Sequence, residues 1–257
     1  MEKYFDSLEP ITVLNKDGIE KTAEEKKKQV DSQIMDFIKG IKPDKDKEIY
    51  AYVLAMGDDR WGSNSNSDLF PYDQLNPHDT NEYGHETFLK AGLYNHHKNK
   101  NPKLSLGNIV MSIFNPIMHR VELIKRVDRQ LCKERDTCNI YDRLLDGELI
   151  PTSIGCRVSH DSCSVCHNKA KNKTEYCDHI KNSLGKIMPN GIKVMMINVR
   201  PVFFDDSFVT NPAFKPASVI SILEEKDGKN CLNGICVVQV PKEFPSRPQK
   251  EEKVEST

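Results

Sequence analysis

The segment Glu48–Met56 has the sequence EIYAYVLAM, which is largely apolar, contains Ile, Val and two Tyr residues, and lacks Gly and Pro. A short apolar run of this composition predicts a strand. Gly57–Asp68 follows and is rich in Gly, Ser, Asn and Asp, which predicts a long loop. Loops of this length are uncommon in compact domains unless they carry function. The sequence therefore predicts a strand that leads into a functional loop.

Several other segments are rich in β-branched residues, and some alternate apolar with polar side chains. Such alternation is typical of antiparallel sheets, whereas the parallel sheets of βαβ units show continuous apolar runs. Because the helical patterns are short, we predict an α+β fold built on an antiparallel sheet or barrel. The predicted strands are Gly107–Phe114, Arg120–Val127, Leu149–Val158, Ile192–Phe204 and Ala217–Leu223, and the predicted short helices are Glu82–Ala91, Tyr141–Gly147 and Glu175–Leu184.

The two ends of the chain differ in composition from the middle. Between Glu20 and Ile41, apolar residues recur at helical spacing opposite a charged face, which predicts an amphipathic surface helix. The tail from Pro241 is rich in Pro and charge, a composition typical of disorder. We therefore predict three parts. They are an N-terminal helical segment over 1–47, a main domain over 48–225 with an insert at 156–185, and a C-terminal strand with a disordered tail over 226–257.

Composition bears on the compartment and on the partners. The 257 residues include 37 Lys and Arg against 38 Asp and Glu, a formal charge of −1. This balance does not predict the basic surface of a duplex binder, so we expect no specific nucleic-acid partner. No run approaches the roughly 18 apolar residues of a membrane span, so we expect a soluble, unexported protein. The eight cysteines are then expected to be reduced thiols or metal ligands rather than a disulfide framework.

Three short islands contain the residue types of nucleophilic catalysis, in the chain order His, Ser, Asp. They are Tyr94–Asn99 (YNHHKN), Ile150–Val158 (IPTSIGCRV) and Phe203–Val209 (FFDDSFV). A serine hydroxyl is a poor nucleophile until an imidazole accepts its proton, and a third group must fix the tautomer of that imidazole. Ser153 is the candidate nucleophile. The candidate base is His96 or His97, and the candidate orienting acid is Asp205 or Asp206.

The spacing of Cys and His residues predicts a metal site. Cys163-x-x-Cys166 places two thiolates close enough for a tetrahedral ion, and Cys177-x-His179 completes the ligand set. Four protein ligands leave no open position for a water molecule, so the predicted ion is a structural Zn²⁺. Free thiols on a surface hairpin are the alternative. The rival fourth ligands are His160, His167 and Cys156, and the cysteines expected to be buried thiols, or otherwise a second metal site, are Cys132, Cys138, Cys231 and Cys236.

The three islands together resemble the prohead proteases of tailed phages. In that family a His precedes a Gly that opens a strand, as His97 precedes Gly107. The nucleophile lies in a Ser-Ile-Gly or Ser-Met-Gly turn, as Ser153 does. An acid stands just before a Ser-x-Val-x-x-Pro-Ala segment, as Asp205 does, although the family more often has Glu there. The family pattern Tyr/Phe-x-x-His-x-Asn favours His97 over His96 as the base.

The resemblance covers about Val53–Ala213 and implies an assemblin-like fold, an antiparallel β-barrel flanked by helices. Gly155 is then expected to form a tight turn that aims main-chain N–H groups at a developing oxyanion. Similar phage proteins contain a Cys-x-x-Cys…Glu-Tyr-Cys-x-His insert after this turn, which implies a zinc module beside the active site. The stretch Asn64–Phe70 (NSNSDLF) resembles the family's Asn-x-x-x-Asp-x-Phe loop, which implies contact with substrate.

The implied activity is that of a serine endopeptidase of capsid maturation. Its substrates would be segments of the scaffold and major capsid proteins, cut inside the assembling prohead in the cytoplasm of the host. A membrane is not expected as a partner, and homo-oligomerisation stays open. The alternative is a non-enzymatic virion or scaffold protein that keeps the fold and the zinc module as structural parts. A zinc-containing nucleic-acid binder is a weaker alternative.

Overall fold

The computed structural model describes residues 22–136 and 138–238. One longer helix comes first, and thirteen strands with four short α-helices among them follow in the part of the chain that is described. In chain order the strands are β1 Glu48–Gly57, β2 Asp68–Leu69, β3 Gly107–Asn115, β4 Arg120–Asp128, β5 Thr152–Arg157, β6 His160–Cys163, β7 Lys169–Ala170, β8 Met196–Val199, β9 Val202–Phe208, β10 Ser218–Ile222, β11 Glu224–Lys226, β12 Lys229–Leu232 and β13 Ile235–Val238. The α-helices are α1 Ala23–Lys39, α2 Tyr72–Leu75, α3 Arg129–Arg135, α4 Ile140–Leu145 and α5 Asp178–Ser183.

The largest sheet has the order β10-β1-β4-β3, and all its neighbouring strands are antiparallel. Its strand β1 is covered on both faces, which explains its nearly continuous apolar sequence. Ala51 and Val53 pack in the main core, whereas Tyr52 packs on the opposite face beneath α1. The predicted strand Glu48–Met56 is confirmed, and it continues to Gly57.

Helix α1 covers the outer face of this sheet. Thr22 caps the helix, because its side-chain oxygen accepts a hydrogen bond from Glu25 N at 3.2 Å. The Glu25 carboxylate in turn accepts one from Thr22 N at 2.7 Å. Val30, Ile34 and Ile38 lie on one face and are buried against the sheet, and each burial contributes about 1.5–3 kcal/mol. The predicted amphipathic helix is therefore confirmed.

Strands β5 and β9 form a separate antiparallel ladder. Isolated bridges connect this ladder to the largest sheet: Gly92 bridges β9 and also Asn108 in β3, and Pro151 bridges Ser218 in β10. In the described ranges these ladders do not close into one continuous barrel. The predicted α+β class with antiparallel sheets is confirmed, whereas the predicted barrel is not seen as a continuous sheet.

Residues 160–199, called here the metal module, form a layer around a small sheet of order β2-β8-β6-β7. Strand β2 joins this sheet from outside the module and runs parallel to β8, while the other pairs are antiparallel. Cys163, Ile180 and Val194 form a small core of their own. The predicted insert at 156–185 overlaps this module, whose sheet also includes β8 as the partner strand of β6.

The hairpin of β12 and β13 contains a disulfide between Cys231 and Cys236. These residues face each other across the two strands, and the Asn-Gly turn at 233–234 has the positive φ angles of a tight hairpin. The expectation that both are free thiols or ligands of a second metal is wrong, because the turn brings the two sulfurs to the same register. Cys132 is a free thiol and is buried as predicted, whereas Cys138 is only partly buried.

Two other predictions differ in detail from the structure, and a third falls on residues that it does not describe. The predicted strand Ile192–Phe204 is divided into β8 and β9, because the chain turns at Arg200, whose φ is 52°. The helical pattern Glu82–Ala91 forms a 3₁₀ helix over His85–Lys90. The tail from Pro241, predicted to be disordered, lies outside the described residues.

Candidate active site and metal centre

The three islands of the sequence meet around β9. On one side β9 pairs with β5, where Ser153 lies opposite Ser207. On the other side the chain that precedes His97 runs parallel to β9, with bridges at Gly92 and Asn95. Because successive side chains of a strand point to opposite faces, neighbouring residues of β9 contribute to different environments. The ladder thus places the serine and histidine islands on either side of the acidic one.

Asp205 is fully buried, and its carboxylate accepts hydrogen bonds from several side chains. His97 Nδ1 lies 2.7 Å from Asp205 Oδ2, and Asn99 Nδ2 donates to the same oxygen at 2.7 Å. Ser207 Oγ donates to the other oxygen, Oδ1, at 2.6 Å. The main-chain N–H of His97 donates to Ser207 Oγ at 3.2 Å. Both the backbone and the ring of His97 are therefore fixed relative to this carboxylate.

The pKa of His97 is raised above 6.5, and the hydrogen bond to Asp205 is the largest cause. Partial burial opposes the rise, while the charges of Asp205 and Asp206 add to it. With Nδ1 donating to Asp205, Nε2 is the ring nitrogen that can accept a proton. His96 is exposed, and its ring makes no hydrogen bond within the described residues. His97 is thus the histidine that meets the acid.

Ser153 is 8% exposed and lines a cavity of about 120 Å³ together with His97. Across the residues that the structure describes, no hydrogen bond joins Ser153 Oγ to the His97 ring. Catalytic hydrogen bonds are often long before substrate binds and tighten in the complex. The cavity therefore has the candidate nucleophile and the candidate base on its wall. Its other lining residues include Gly62, Asn64, Asn66, Asp68, Phe70 and Phe214.

Gly155 lies within β5 and does not form the predicted tight turn. A Cβ atom on this residue would lie 3.1 Å from Cβ of Asp205 and 3.2 Å from the ring of Phe204. The glycine is therefore explained by the close approach of β5 to the buried acid. The expectation of a turn that aims N–H groups at an oxyanion is wrong, because the Ser-Ile-Gly sequence continues as an extended strand.

Asp206 points away from His97 and pairs with Lys125 in the interior. Lys125 Nζ lies 3.0 Å from Asp206 Oδ2 and donates to the main-chain oxygen of Asp206 at 3.2 Å. Both side chains are fully buried, and the ammonium also lies 4.5 Å from the centre of the Phe208 ring. Burial raises the pKa of Asp206 and lowers that of Lys125, and their mutual attraction opposes both shifts. Asp205 is thus the acid that meets His97, and Lys125 is a neighbour that the sequence did not single out.

The four predicted metal ligands lie together in the metal module. The ligand atoms of Cys163, Cys166, Cys177 and His179 are all within 4.8 Å of one another. Val165 N lies 3.4 Å from Cys163 Sγ and donates to it. The geometry therefore fits the coordination of a metal ion by three thiolates and one imidazole.

The electrostatics of Cys177 agree with this assignment. Partial burial opposes ionisation of its thiol, but the backbone N–H of Ile180 and contacts with the other three cluster residues lower its pKa to about 7. The buried Nδ1 atom of His179 has no hydrogen-bond partner among the described residues. An imidazole that lacks a protein partner at one nitrogen is compatible with metal ligation.

The rival fourth ligands lie outside the cluster. Cys156 packs against the main core, and burial raises the pKa of its thiol to about 12. His160 Nδ1 is 3.0 Å from Ser159 Oγ, at an exposed position. His167 is exposed and is not part of the group of ligand atoms. The structure therefore gathers the same four residues that the spacing predicted.

Comparison with known proteins does not identify a family for this chain. No family model, no curated protein and no solved structure matches it. In the ranges that the structure describes, every helix is too short or too polar to cross a membrane. The geometry of the two sites and the sequence motifs are therefore the features that point to a function.

Proposed function

We propose that this chain is a serine endopeptidase of tailed-phage head maturation. The observation that carries the proposal is the 2.7 Å contact between His97 Nδ1 and the buried Asp205, at the wall of the cavity that Ser153 also lines. A serine beside a His–Asp pair in a partly enclosed cavity has the residue types needed for acyl transfer. The resemblance of the three islands to prohead proteases supports the same reaction. The ladders linked by isolated bridges are compatible with the assemblin-like fold that the resemblance implies.

In the proposed reaction, Ser153 Oγ attacks the carbonyl carbon of a peptide bond while its proton passes to His97 Nε2. The C–N bond then breaks, the leaving amine takes that proton, and an acyl ester remains on Ser153. Nε2 next accepts a proton from water as the water oxygen attacks the ester. The proton returns to Ser153 Oγ as the carboxylic acid product leaves. Asp205 holds the imidazole orientation and stabilises the imidazolium that forms in each half-reaction.

The metal is proposed to be a structural Zn²⁺. Three thiolates and one imidazole are a donor set that zinc prefers, and their mutual distances fit one tetrahedral ion. Because all four positions are filled by protein, the ion is not expected to activate water. Cys163 and Cys177 belong to the small core of the module, so the ion would stabilise that core directly.

The proposed substrates are segments of the scaffold and major capsid proteins, and the proposed location is the assembling prohead in the host cytoplasm. The support for both is the resemblance of the sequence motifs. The cavity wall contains Asn64, Asp68 and the apolar Phe70 and Phe214, so it offers polar and apolar contacts to a peptide. A homo-oligomer remains compatible with this function.

A fluorophosphonate probe tests the nucleophile without knowledge of the natural substrate. We expect the wild-type protein to be labelled on Ser153, and Ser153→Ala and His97→Gln to lose labelling. Cleavage of a proteome-derived peptide mixture, read by mass spectrometry, should show new termini with the wild type and none with Ser153→Ala.

Ser159→Ala is a matched control, because Ser159 Oγ also lies near an imidazole, 3.0 Å from His160 Nδ1, but at an exposed position. This variant should label and cleave as the wild type does. Equal labelling of the wild type and Ser153→Ala would refute the proposal. It would favour the non-enzymatic alternative, a virion or scaffold protein that keeps the zinc module as a structural part.

A further inference from the structure

The sheet of the metal module contains a strand from the wall of the cavity. Strand β2 pairs with β8, and β8 pairs with β6, which ends at a metal ligand. Asp68 of the cavity and Cys163 of the metal site both lie opposite Met196. A residue that lines the cavity and a residue of the metal site therefore lie in one row across three strands.

Hydrogen bonds also join the module to the cavity loop, defined here as residues 62–68, and to the residue that follows it. The donors lie on β8 or just before it, and the acceptors lie on the loop or on β2. The bonds run from Lys193 Nζ to Ser63 Oγ at 2.9 Å, from Met196 N to Ser67 O at 2.9 Å, and from Asn198 Nδ2 to Leu69 O at 3.2 Å. Both ends of the cavity loop are thus attached to the metal module.

The cavity loop is held by hydrogen bonds within itself and by one to the main domain, including Asn64 N to Asp68 O at 2.9 Å and Ser67 N to Asn64 O at 3.0 Å. Asn64 Oδ1 accepts hydrogen bonds from Asn66 N at 2.9 Å and from Asp68 N at 3.0 Å, which closes a small turn. On the side of the main domain, Ser65 N donates to Ala213 O at 2.9 Å. Because the loop consists of polar residues with little apolar burial, its conformation depends on such hydrogen bonds.

We propose that the metal module is a supporting wall of the cavity, and that metal binding keeps the cavity loop in the conformation that holds substrate beside Ser153. Loss of the ion releases Cys163 at the end of β6, loosens β8 through their pairing, and so loosens the loop. Ser153 and Asp205 lie on strands outside the module, so the catalytic groups themselves should be less affected. The effect on substrate rests on the proposed peptidase activity, whereas the coupling of metal to loop does not.

Hydrogen–deuterium exchange of the full chain tests the coupling directly. The protein is compared as purified with its metal and after removal of the metal by a chelator, with the metal content measured by mass spectrometry. We expect the amides of the cavity loop to exchange about tenfold faster without metal, the effect of losing one or two net hydrogen bonds. The amides of β1 should keep their protection. Unchanged exchange of the loop, when the amides of the metal module itself become faster, would overturn the proposal.

A second comparison leaves the metal in place, in case the metal-free protein loses its fold. Lys193→Met removes the bond to Ser63, and Lys186→Met is the matched control because Lys186 Nζ donates to Asn182 O within the module. We expect exchange of Asn64 and the next few loop amides to rise about threefold in Lys193→Met alone. Equal exchange in the two variants would contradict the proposed attachment.

The kinetics of peptide cleavage and fluorophosphonate labelling test the role of the metal in substrate binding separately from the peptidase activity itself. Metal removal should raise KM for a cleaved peptide about tenfold and change kcat and the labelling of Ser153 less than threefold, since the loop contacts substrate and not the reacting groups. A fall in kcat with unchanged KM would overturn the proposed role in substrate binding. Failure of labelling and cleavage in the metal-loaded wild type would refute the peptidase, while the exchange experiment would still decide the coupling.

Discussion

Replacement of Lys125 by Met tests the ion pair that lies behind the candidate active site. Met has a similar length and no charge, so the substitution leaves little empty space. Asp206, which is fully buried, loses the ammonium 3.0 Å from its carboxylate. Removing one partner of a buried pair costs about 3–5 kcal/mol, because the other charge stays buried without compensation. We expect Lys125→Met to lower the free energy of unfolding by about this amount at neutral pH.

The size of this loss should depend on pH. Burial already raises the pKa of Asp206 above 3.8, and the attraction of Lys125 opposes that rise. Without Lys125 the pKa in the folded protein rises further. A carboxyl whose pKa is higher in the folded than in the unfolded protein stabilises the fold at low pH, and this contribution is lost as the pH rises through the folded pKa. The loss of unfolding free energy in Lys125→Met, relative to the wild type, should therefore be smaller at about pH 5 than at about pH 8.

Equilibrium unfolding in urea at both pH values measures the effect. The double variant Lys125→Met with Asp206→Asn removes both charges and should recover most of the lost stability. Lys133→Met is a control at an exposed position of helix α3 and should change the free energy of unfolding by less than about 0.5 kcal/mol. If Lys125→Met loses the same unfolding free energy at both pH values, or if the double variant is no more stable than the single one, the unpaired charge of Asp206 is not the cause of the loss.

Three further predictions concern the site and the C-terminal hairpin. Asp205→Asn should lower kcat for peptide cleavage by about 10³- to 10⁴-fold, because the imidazole loses the partner that fixes its tautomer. The acid limb of the pH–rate profile of this variant should also move to lower pH, because Asp205 raises the pKa of His97 above 6.5 in the wild type. An unshifted limb would argue against His97 as the base. Gly155→Ala would place a Cβ 3.1 Å from Cβ of Asp205 and should lower kcat/KM about tenfold by displacing the acid. Kinetics equal to those of the wild type would show that the close approach of β5 to Asp205 does not require a glycine. Cys231→Ser with Cys236→Ser should lower the free energy of unfolding by about 2 kcal/mol with unchanged metal content, whereas a loss of metal would place these cysteines in the metal site.

The sequence predicted much of the fold because burial and alternation are local signals. The strand at Glu48–Met56 and the helix over Glu20–Ile41 have patterns that a single element can satisfy, and both are present. The barrel depends on how separate ladders meet, and isolated bridges of single residues leave no pattern in the sequence. The disulfide did have a signal, since Cys231 and Cys236 flank an Asn-Gly turn that sets them opposite each other.

The candidate metal site was predictable from spacing, whereas the details of the active site were not. The Cys and His ligands come from one short segment, so their proximity follows from local geometry. The choice between Asp205 and Asp206 depends on which face of β9 the histidine island covers, and that is a tertiary contact. Lys125 could have been found, because Leu123 and Val127, two residues away on either side, are both buried in the main core.

The two neighbouring acids of β9 can both be buried because the strand separates their partners. Asp205 is surrounded by donors from His97, Asn99 and Ser207, whereas Asp206 meets the ammonium of Lys125 on the opposite face. The pairing of Asp206 with Lys125 reduces the repulsion that a second carboxylate would exert on the first. An exchange of the two roles would need β9 to shift by one residue, which would turn every side chain of the strand to the other face. The buried Lys125 thus favours the same register as the pairing with β5, in which Asp205 and not Asp206 meets His97.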